Sequence, residues 1–260
     1  MRHRDGSAGD ADYGRIGIGY ASHRRPDPRI AACILDALGD ARTVLNVGAG
    51  AGSYEPRDRD VTAVEPSASM RAQRPADLPA AIDGTAESLP FDDDTFDASM
   101  ATFTVHQWSD LSAGLAEMRR VTRGPVLVLS CDPTALDRFW LARYAPEVIA
   151  TEARRYPAID MLVHLLGACD VISVPIPLDC TDGFGEAFYG RPERLLDPEV
   201  RRAQSAWSFV EPAAIERATR ELAHDLEHGI WDARYGALRT APTFDGSLRL
   251  VVARSGQRDQ

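Results

Sequence analysis

Lysine is missing altogether from the 260 residues, so all 29 basic side chains are arginines. Schiff-base chemistry, a lysine general base and a lysine-bearing phosphate loop are therefore excluded. Cysteine is scarce. Cys33, Cys131, Cys169 and Cys180 form no C-x-x-C pair, which indicates neither a zinc knuckle nor a redox dithiol. They are expected reduced, in a cytoplasmic protein. Positive charge is outweighed, with a net charge of −10, and this argues against a nucleic-acid partner. Long hydrophobic runs are lacking too: PVLVLSC (125–131) is strand-sized and far short of a membrane span. The opening MRHRDGSAGDADYGR offers no apolar core for a signal peptide.

What is present is an ordinary globular composition, 44% hydrophobic and 26% charged, on a chain long enough to bury a sizeable core. Residues 1–12 read as a loose polar tail, and 13–260 as one domain. Within it, 13–42 are expected to form an N-terminal flap and helix, and 43–131 a ligand-binding core. Residues 132–168 and 178–210 are expected as cap or lid insertions, and 211–260 as a closing helix and strand.

DPRIAACILDAL (27–38) puts Ile30, Ile34, Leu35 and Leu38 on one helical face. Strands follow at TVLNVG (43–48), VTAVE (61–65), weakly at AAIDG (80–84), then FDASMATF (96–103) and PVLVLSC, with a helix at 111–121. This alternation predicts a doubly wound α/β fold, a seven-stranded, mostly parallel, Rossmann-like sheet whose last strand, 247–254, is antiparallel. Helices are expected at 135–145, 159–168 and 212–229. VISVPIP (171–177) reads as an edge strand interrupted by its prolines.

The strongest signal is VLNVGAGAG (44–52). A strand running into G-x-G-x-G lets Gly48, Gly50 and Gly52 turn tightly and lie bare against a ligand. Glu65, ending the next strand, is placed to accept from ribose hydroxyls. Dinucleotide binding needs G-x-G-x-x-G, but Ser53 stands at the last position. SYEPRDRD allows at most one helical turn before Pro56, so no pyrophosphate cradle is offered. Adenosine without a pyrophosphate fits better.

At VLNVGAGAG, VTAVEPSASM, GTAESLPFDDDTFDA and TFTVHQW the chain resembles the class I S-adenosylmethionine-dependent methyltransferases, small-molecule branch. The resemblance spans about residues 13–131. It implies S-adenosylmethionine as cofactor and S-adenosylhomocysteine as product. Gly48, Ala49 and Gly50 would meet the methionine end, Glu65 the ribose, and Pro66 and Met70 would flank the adenine. Thr85, Ala86 and Glu87 would lie at its amino edge, and Thr102 and Phe103 beneath the sulfonium. Two positions depart from the family pattern: Asn46 replaces an acid in the first strand, and Thr85 replaces an Asp after the glycine of the adenine loop. DCTDGF and RPERLLDP, in a lysine-free, arginine-rich chain, resemble actinobacterial members linked to specialised metabolism.

Methyl transfer asks mainly for alignment and dryness, since the sulfonium is already activated. Only an acceptor that must lose a proton needs a base. His106, beyond the fourth strand, is the first candidate; filling the pocket wall is the competing role. Tyr13 and Tyr20 read either as a flap over cofactor and acceptor, with Tyr20 bonding one of them, or as staples to the core. Arg24 and Arg25 are candidates for the cofactor's carboxylate. Trp108, Asp179, Phe184, Phe188 and Tyr189 are expected around the acceptor, or else in a structural cap. His224 and His228 sit i,i+4 without a third ligand, and no metal site is expected.

The function expected is methylation of a small, aromatic, natural-product acceptor: C-methylation of an indole, such as a tryptophan-derived cyclic dipeptide, or O-methylation of a phenol. The alternative is a methyltransferase-like protein that binds the cofactor but catalyses a cyclisation or rearrangement. No nucleic-acid or membrane partner is expected, and the sequence leaves oligomeric state open.

Overall fold

The computed structural model describes residues 23–254. Asp27 opens the first helix, α1 (Pro28–Leu38), by accepting the Arg29 N–H at 2.9 Å, with Pro28 preset for the first turn. Gly39, at φ +56°, ends it. Its buried stripe is Ile30, Ile34 and Leu38, the i, i+4, i+8 face expected from sequence.

The main sheet has six strands in the order β2 (Asp60–Val64), β1 (Thr43–Val47), β3 (Ala98–Thr102), β4 (Val126–Cys131), β8 (Leu248–Ala253), β5 (Cys169–Ser173). The first four run parallel, and β8 is antiparallel to both its neighbours. Alternate side chains feed two cores. Val44, Met100, Leu127 and Leu129 enter one together with α1, while Leu45, Ala101, Val126 and Val128 enter the other. The second core is closed by α3 (Leu111–Arg120) and α6 (Ile159–Leu166). Burial on both faces explains why β4 reads as one unbroken apolar run.

Four details differ from the sequence reading. The strand expected at 80–84 shrinks to one parallel bridge, Val64 to Ile82, because Pro79 and Gly84 crowd a segment whose Ile82 stays exposed. The sheet therefore has six strands rather than seven. The strand at 171–177 splits at Pro175 into β5 and β6 (Ile176–Pro177), and β6 pairs with β7 (Thr243–Phe244) in a separate two-stranded sheet. The helix expected over 135–145 breaks at Phe139, which is extended so that Phe139 and Trp140 can both be buried. A 3₁₀ turn (Leu136–Arg138) and the short α4 (Leu141–Tyr144) remain there, and Pro146 starts an unforeseen helix, α5 (Pro146–Arg155).

Between β1 and β2 there is no helix, only turns, chiefly over 50–54 and 57–58. The short α2 (Ala68–Arg71) follows β2, with Ser67 as its cap. The 179–207 excursion is built of 3₁₀ turns and one short helix, α7 (Pro198–Arg202). The long α8 (Pro212–Glu227) and α9 (Ile230–Tyr235) complete the outer layer. Among the described residues no helix is long and apolar enough to cross a membrane.

Candidate active site

Two cavities open side by side at the carboxyl ends of β1, β2 and β3, where open parallel sheets take ligands. The first encloses about 740 Å³, mouth included. Its floor is the glycine turn after β1. Gly48, Gly50 and Gly52 all have φ between +53° and +93°, which other residues reach only under strain. A Cβ on Gly48 would lie 2.1 Å from Thr104 Oγ1. Gly52 does not line the cavity; its missing Cβ makes room for Leu78 Cδ1, 2.3 Å from where it would stand. It shapes the loop rather than touching a ligand.

Glu65 is buried in this wall. Its Oε2 accepts from the Gly50 N–H and its Oε1 from the Ser67 N–H, both at 2.8 Å. Each oxygen keeps capacity for one more donor. Burial pushes this carboxyl above its usual range, opposed by those two bonds and by Arg71 and Arg74. Ala49, Pro66, Met70, Thr85, Ala86, Glu87, Thr102 and Phe103 line the same space, together with Ala51, Ser53, Thr104 and Gln107, which the sequence reading did not single out. Glu87 Oε1 already accepts from Ser109 N, Ser109 Oγ and, at 3.2 Å, Asp110 N, so this oxygen is committed to capping the next helix.

Asn46, which replaces the acid of the family pattern, donates at 2.9 Å to Glu55, and Glu55 forms a two-pronged ion pair with Arg74. An acid therefore anchors the glycine loop from its far end. Trp108, expected at the acceptor, instead lines the first cavity, its ring over Gly114 next to Ala86.

The second cavity, about 400 Å³, is lined by Arg24, Phe103, His106, Glu152, Tyr156, Phe184, Gly185, Gln204 and Ser205. Phe103 belongs to both walls. It adopts φ +52°, a sparsely populated conformation for a bulky residue, and its ring lies 5.4 Å from Phe184 and 6.3 Å from Tyr54. His106 sits on the 3₁₀ turn Val105–Gln107 with its ring 4.5 Å from Tyr156. Its Nδ1 is shielded and has no hydrogen-bond partner. Burial, with Arg155 and Arg24 nearby, pushes His106 well below the usual imidazole value, so it is neutral at pH 7. Burial raises Glu152 to about 6, against the pull of Arg155 and Arg24.

Arg24 does not reach the first cavity. It pairs with Asp182, Nε to Oδ1 at 2.5 Å, and lies 5.3 Å from the Phe103 ring. Asp182 also accepts from Tyr54 Oη at 2.9 Å, and the Gly183 N–H donates to the His23 carbonyl, so residues 23–24 are strapped to the excursion. Tyr13 and Tyr20 lie outside the described residues. Asp179 is exposed and bonded to Arg29 at 2.7 Å. Phe188 and Tyr189 are core residues that line neither cavity, and Tyr189 Oη donates to the Ala241 carbonyl at 2.6 Å. Among the described residues, Phe184 is the one expected acceptor contact that lines the second cavity.

Glu152 and Tyr156 were not anticipated because the helix that carries the first and is capped by the second was not foreseen; their i,i+4 spacing was the available signal. The rings of His224 and His228 lie tilted with centroids 4.1 Å apart, and no cluster able to hold a metal occurs among the described residues.

Residues 45–128 match the methyltransferase-domain family. A crystal structure from Anabaena variabilis, described as a candidate methyltransferase from an antibiotic biosynthesis pathway, is similar over 89% of this chain and 98% of its own, at 29% identity and TM-score 0.83. An uncharacterised methyltransferase of Mycobacterium tuberculosis is 39% identical over 89 residues, 32% of this chain and 36% of its own. A malonyl-[acyl-carrier protein] O-methyltransferase of Erwinia pyrifoliae is 32% identical over 123 residues, 44% of this chain and 46% of its own. The chain thus spans between a third and a half of the length of these curated relatives.

Proposed function

We propose, from the premise that this chain carries a class I S-adenosylmethionine-dependent methyltransferase domain, that it methylates a small acceptor held in the second cavity. The observation that carries this reading is the shared wall: Phe103 lines both the cavity over the glycine turn and a smaller one that holds His106 and Glu152. The residues fit the cofactor. The bare glycine turn admits close approach, Glu65 offers two acceptor oxygens to a ribose, and Met70, Ala86 and Trp108 supply apolar walls for a purine. When bound, S-adenosylmethionine supplies an electrophilic methyl group and leaves as the thioether S-adenosylhomocysteine.

The chain's own work is placement and proton handling. Phe103 and Phe184 offer aromatic surface to a flat acceptor, and Tyr156 offers a polar contact. Glu152 or the neutral His106 takes the acceptor's proton as its oxygen or nitrogen attacks. This favours a phenol-like hydroxyl over an indole carbon, because a carbon nucleophile attacks before it needs a base. The similarity to the Anabaena variabilis protein supports an acceptor from specialised metabolism.

Titration calorimetry with S-adenosylmethionine and S-adenosylhomocysteine tests the cofactor half, with Glu65→Ala expected to weaken both by roughly tenfold or more. Unchanged affinity in that variant would overturn it. Methyl-labelled cofactor offered with a panel of phenols and indoles tests the acceptor half; label appearing in indoles alone sinks the hydroxyl reading.

A further inference from the structure

The turn after β3 carries two consecutive residues that line different cavities, and each holds buried polar atoms without partners. His106 belongs to the second cavity and Gln107 to the first. Gln107 is 6% exposed, and neither Oε1 nor Nε2 has a hydrogen-bond partner. Its backbone N–H is spent on the Thr104 carbonyl at 2.8 Å, which holds the turn and leaves the amide alone at the cavity wall. A buried polar group left unsatisfied costs about 1–3 kcal/mol, and native proteins tolerate few such groups. Here both ends of one side chain are unsatisfied at once, in the wall of the space where a ligand belongs.

The two carboxylates of this wall have other partners. Glu87 Oε1 accepts three bonds from the Ser109–Asp110 turn, and Glu65 faces Gly50 and Ser67. A primary amide offers donors and an acceptor together, so it complements a ligand edge that presents both. The cofactor has two such edges: the adenine amino group with its neighbouring ring nitrogen, and the ammonium–carboxylate pair of the amino acid. We propose that Gln107 is a specificity-determining residue for the cofactor, its amide pairing with one of these donor–acceptor edges. The inference rests on the cofactor reading above.

The test uses the full chain and two probes, S-adenosylhomocysteine and 5′-methylthioadenosine, the second lacking the amino-acid end. Gln107→Leu removes both polar ends at similar volume, and Gln107→Met is the second variant should the first pack poorly. The expected result is S-adenosylhomocysteine affinity lowered about tenfold or more, with the ligand-free melting temperature unchanged or raised because an unsatisfied amide has been removed. The melting-temperature rise on adding ligand should shrink in step. Equal losses for both probes assign the adenine edge; a loss confined to S-adenosylhomocysteine assigns the amino-acid edge. Wild-type affinity in both variants overturns the proposal, as does a fall in ligand-free stability in both, which would mark the amide as structural. If the wild-type chain itself binds neither probe, the cofactor reading fails and takes this inference with it; variant data against a binding wild type separate the two.

Discussion

At the scale of single residues, the second cavity sets two proton acceptors in one wall and separates them by environment. His106 and Glu152 are both affected by burial and by the Arg24 and Arg155 charges, but these act on them in different ways. For the imidazole, burial and the two arginines all disfavour the cation, so His106 has no transition in the neutral range. For Glu152 the arginines oppose burial and leave the carboxyl at about 6, with Tyr156 beside it in the same wall. A base that must be ionised works above its own transition. Turnover of an O–H or N–H acceptor should therefore rise with pH through about 6 and level off above it, as a kcat/KM profile reads. Glu152→Gln should lower the plateau and abolish that limb. A limb near 6 that survives in Glu152→Gln would assign the proton transfer elsewhere. Phe103 adds a conformational feature to the same place. Its left-handed backbone costs about 1–3 kcal/mol, which the surrounding rings of Tyr54 and Phe184 help to hold in place.

At the scale of elements, the glycine loop is held by a buttress of charge. Glu55 and Arg74 are almost completely buried, with side-chain exposures of 0% and 4%. Asn46 on β1 and the Pro79 carbonyl take up further bonds. Removing one partner leaves the other charge buried and unpaired, at a cost of about 3–5 kcal/mol. Arg74→Met should therefore lower the melting temperature by roughly 10 °C. It should also weaken S-adenosylhomocysteine, because the loop from Gly48 to Glu55 loses its far anchor. Calorimetric melting and titration on the one variant read both effects, and unchanged melting would discard the buttress. None of this pairing was legible in the chain, because Arg74 lies 19 residues from Glu55 and no local period links them. What was legible followed local rules. Glycines at the end of a buried strand, an acid ending the next, and an Asp-Pro helix start were all read at nearly their observed positions. The reading weakened where large aromatics override local preference. Phe139 and Trp140 break a helix that composition alone would continue, and Phe188 and Tyr189 serve the core although their loop setting suggested a ligand wall.

At the scale of the whole molecule, a buried carboxylate helps join the excursion beyond β6 to the sheet. Glu186 accepts from Ser247 N at 3.0 Å through both oxygens and from Ser247 Oγ at 2.6 Å, which ties the 185–188 turn to the start of β8. Gly246 makes room for this approach, since a Cβ there would stand 2.6 Å from Glu186 Oε1. Burial raises Glu186 from 4.5 to about 7, with the Ser247 bonds and Arg249 pulling the other way and the Glu152 charge adding to the rise. A carboxyl whose folded value is raised favours folding most while it is protonated. Its contribution is complete below about 4.5 and is lost as pH climbs towards 7, a change of about 3 kcal/mol. Asp27 acts in the opposite sense. Burial alone would raise it, but bonds from Arg29 and Thr181 outweigh that and hold it at about 2, so its contribution is present above 3.8 and fades as pH falls towards 2. Between pH 5 and 8 the Glu186 effect therefore stands alone of the two. Glu186→Gln keeps an acceptor for the Ser247 N–H, and the Ser247 hydroxyl can turn to accept from the amide. Unfolding free energies from urea titrations at pH 5, 6, 7 and 8 should converge with wild type at the acidic end. They should exceed it by a growing margin towards pH 8. Two parallel curves over that interval would show that Glu186 stays charged in the folded protein, and that the excursion is held to the sheet by an ion and not by a neutral acid.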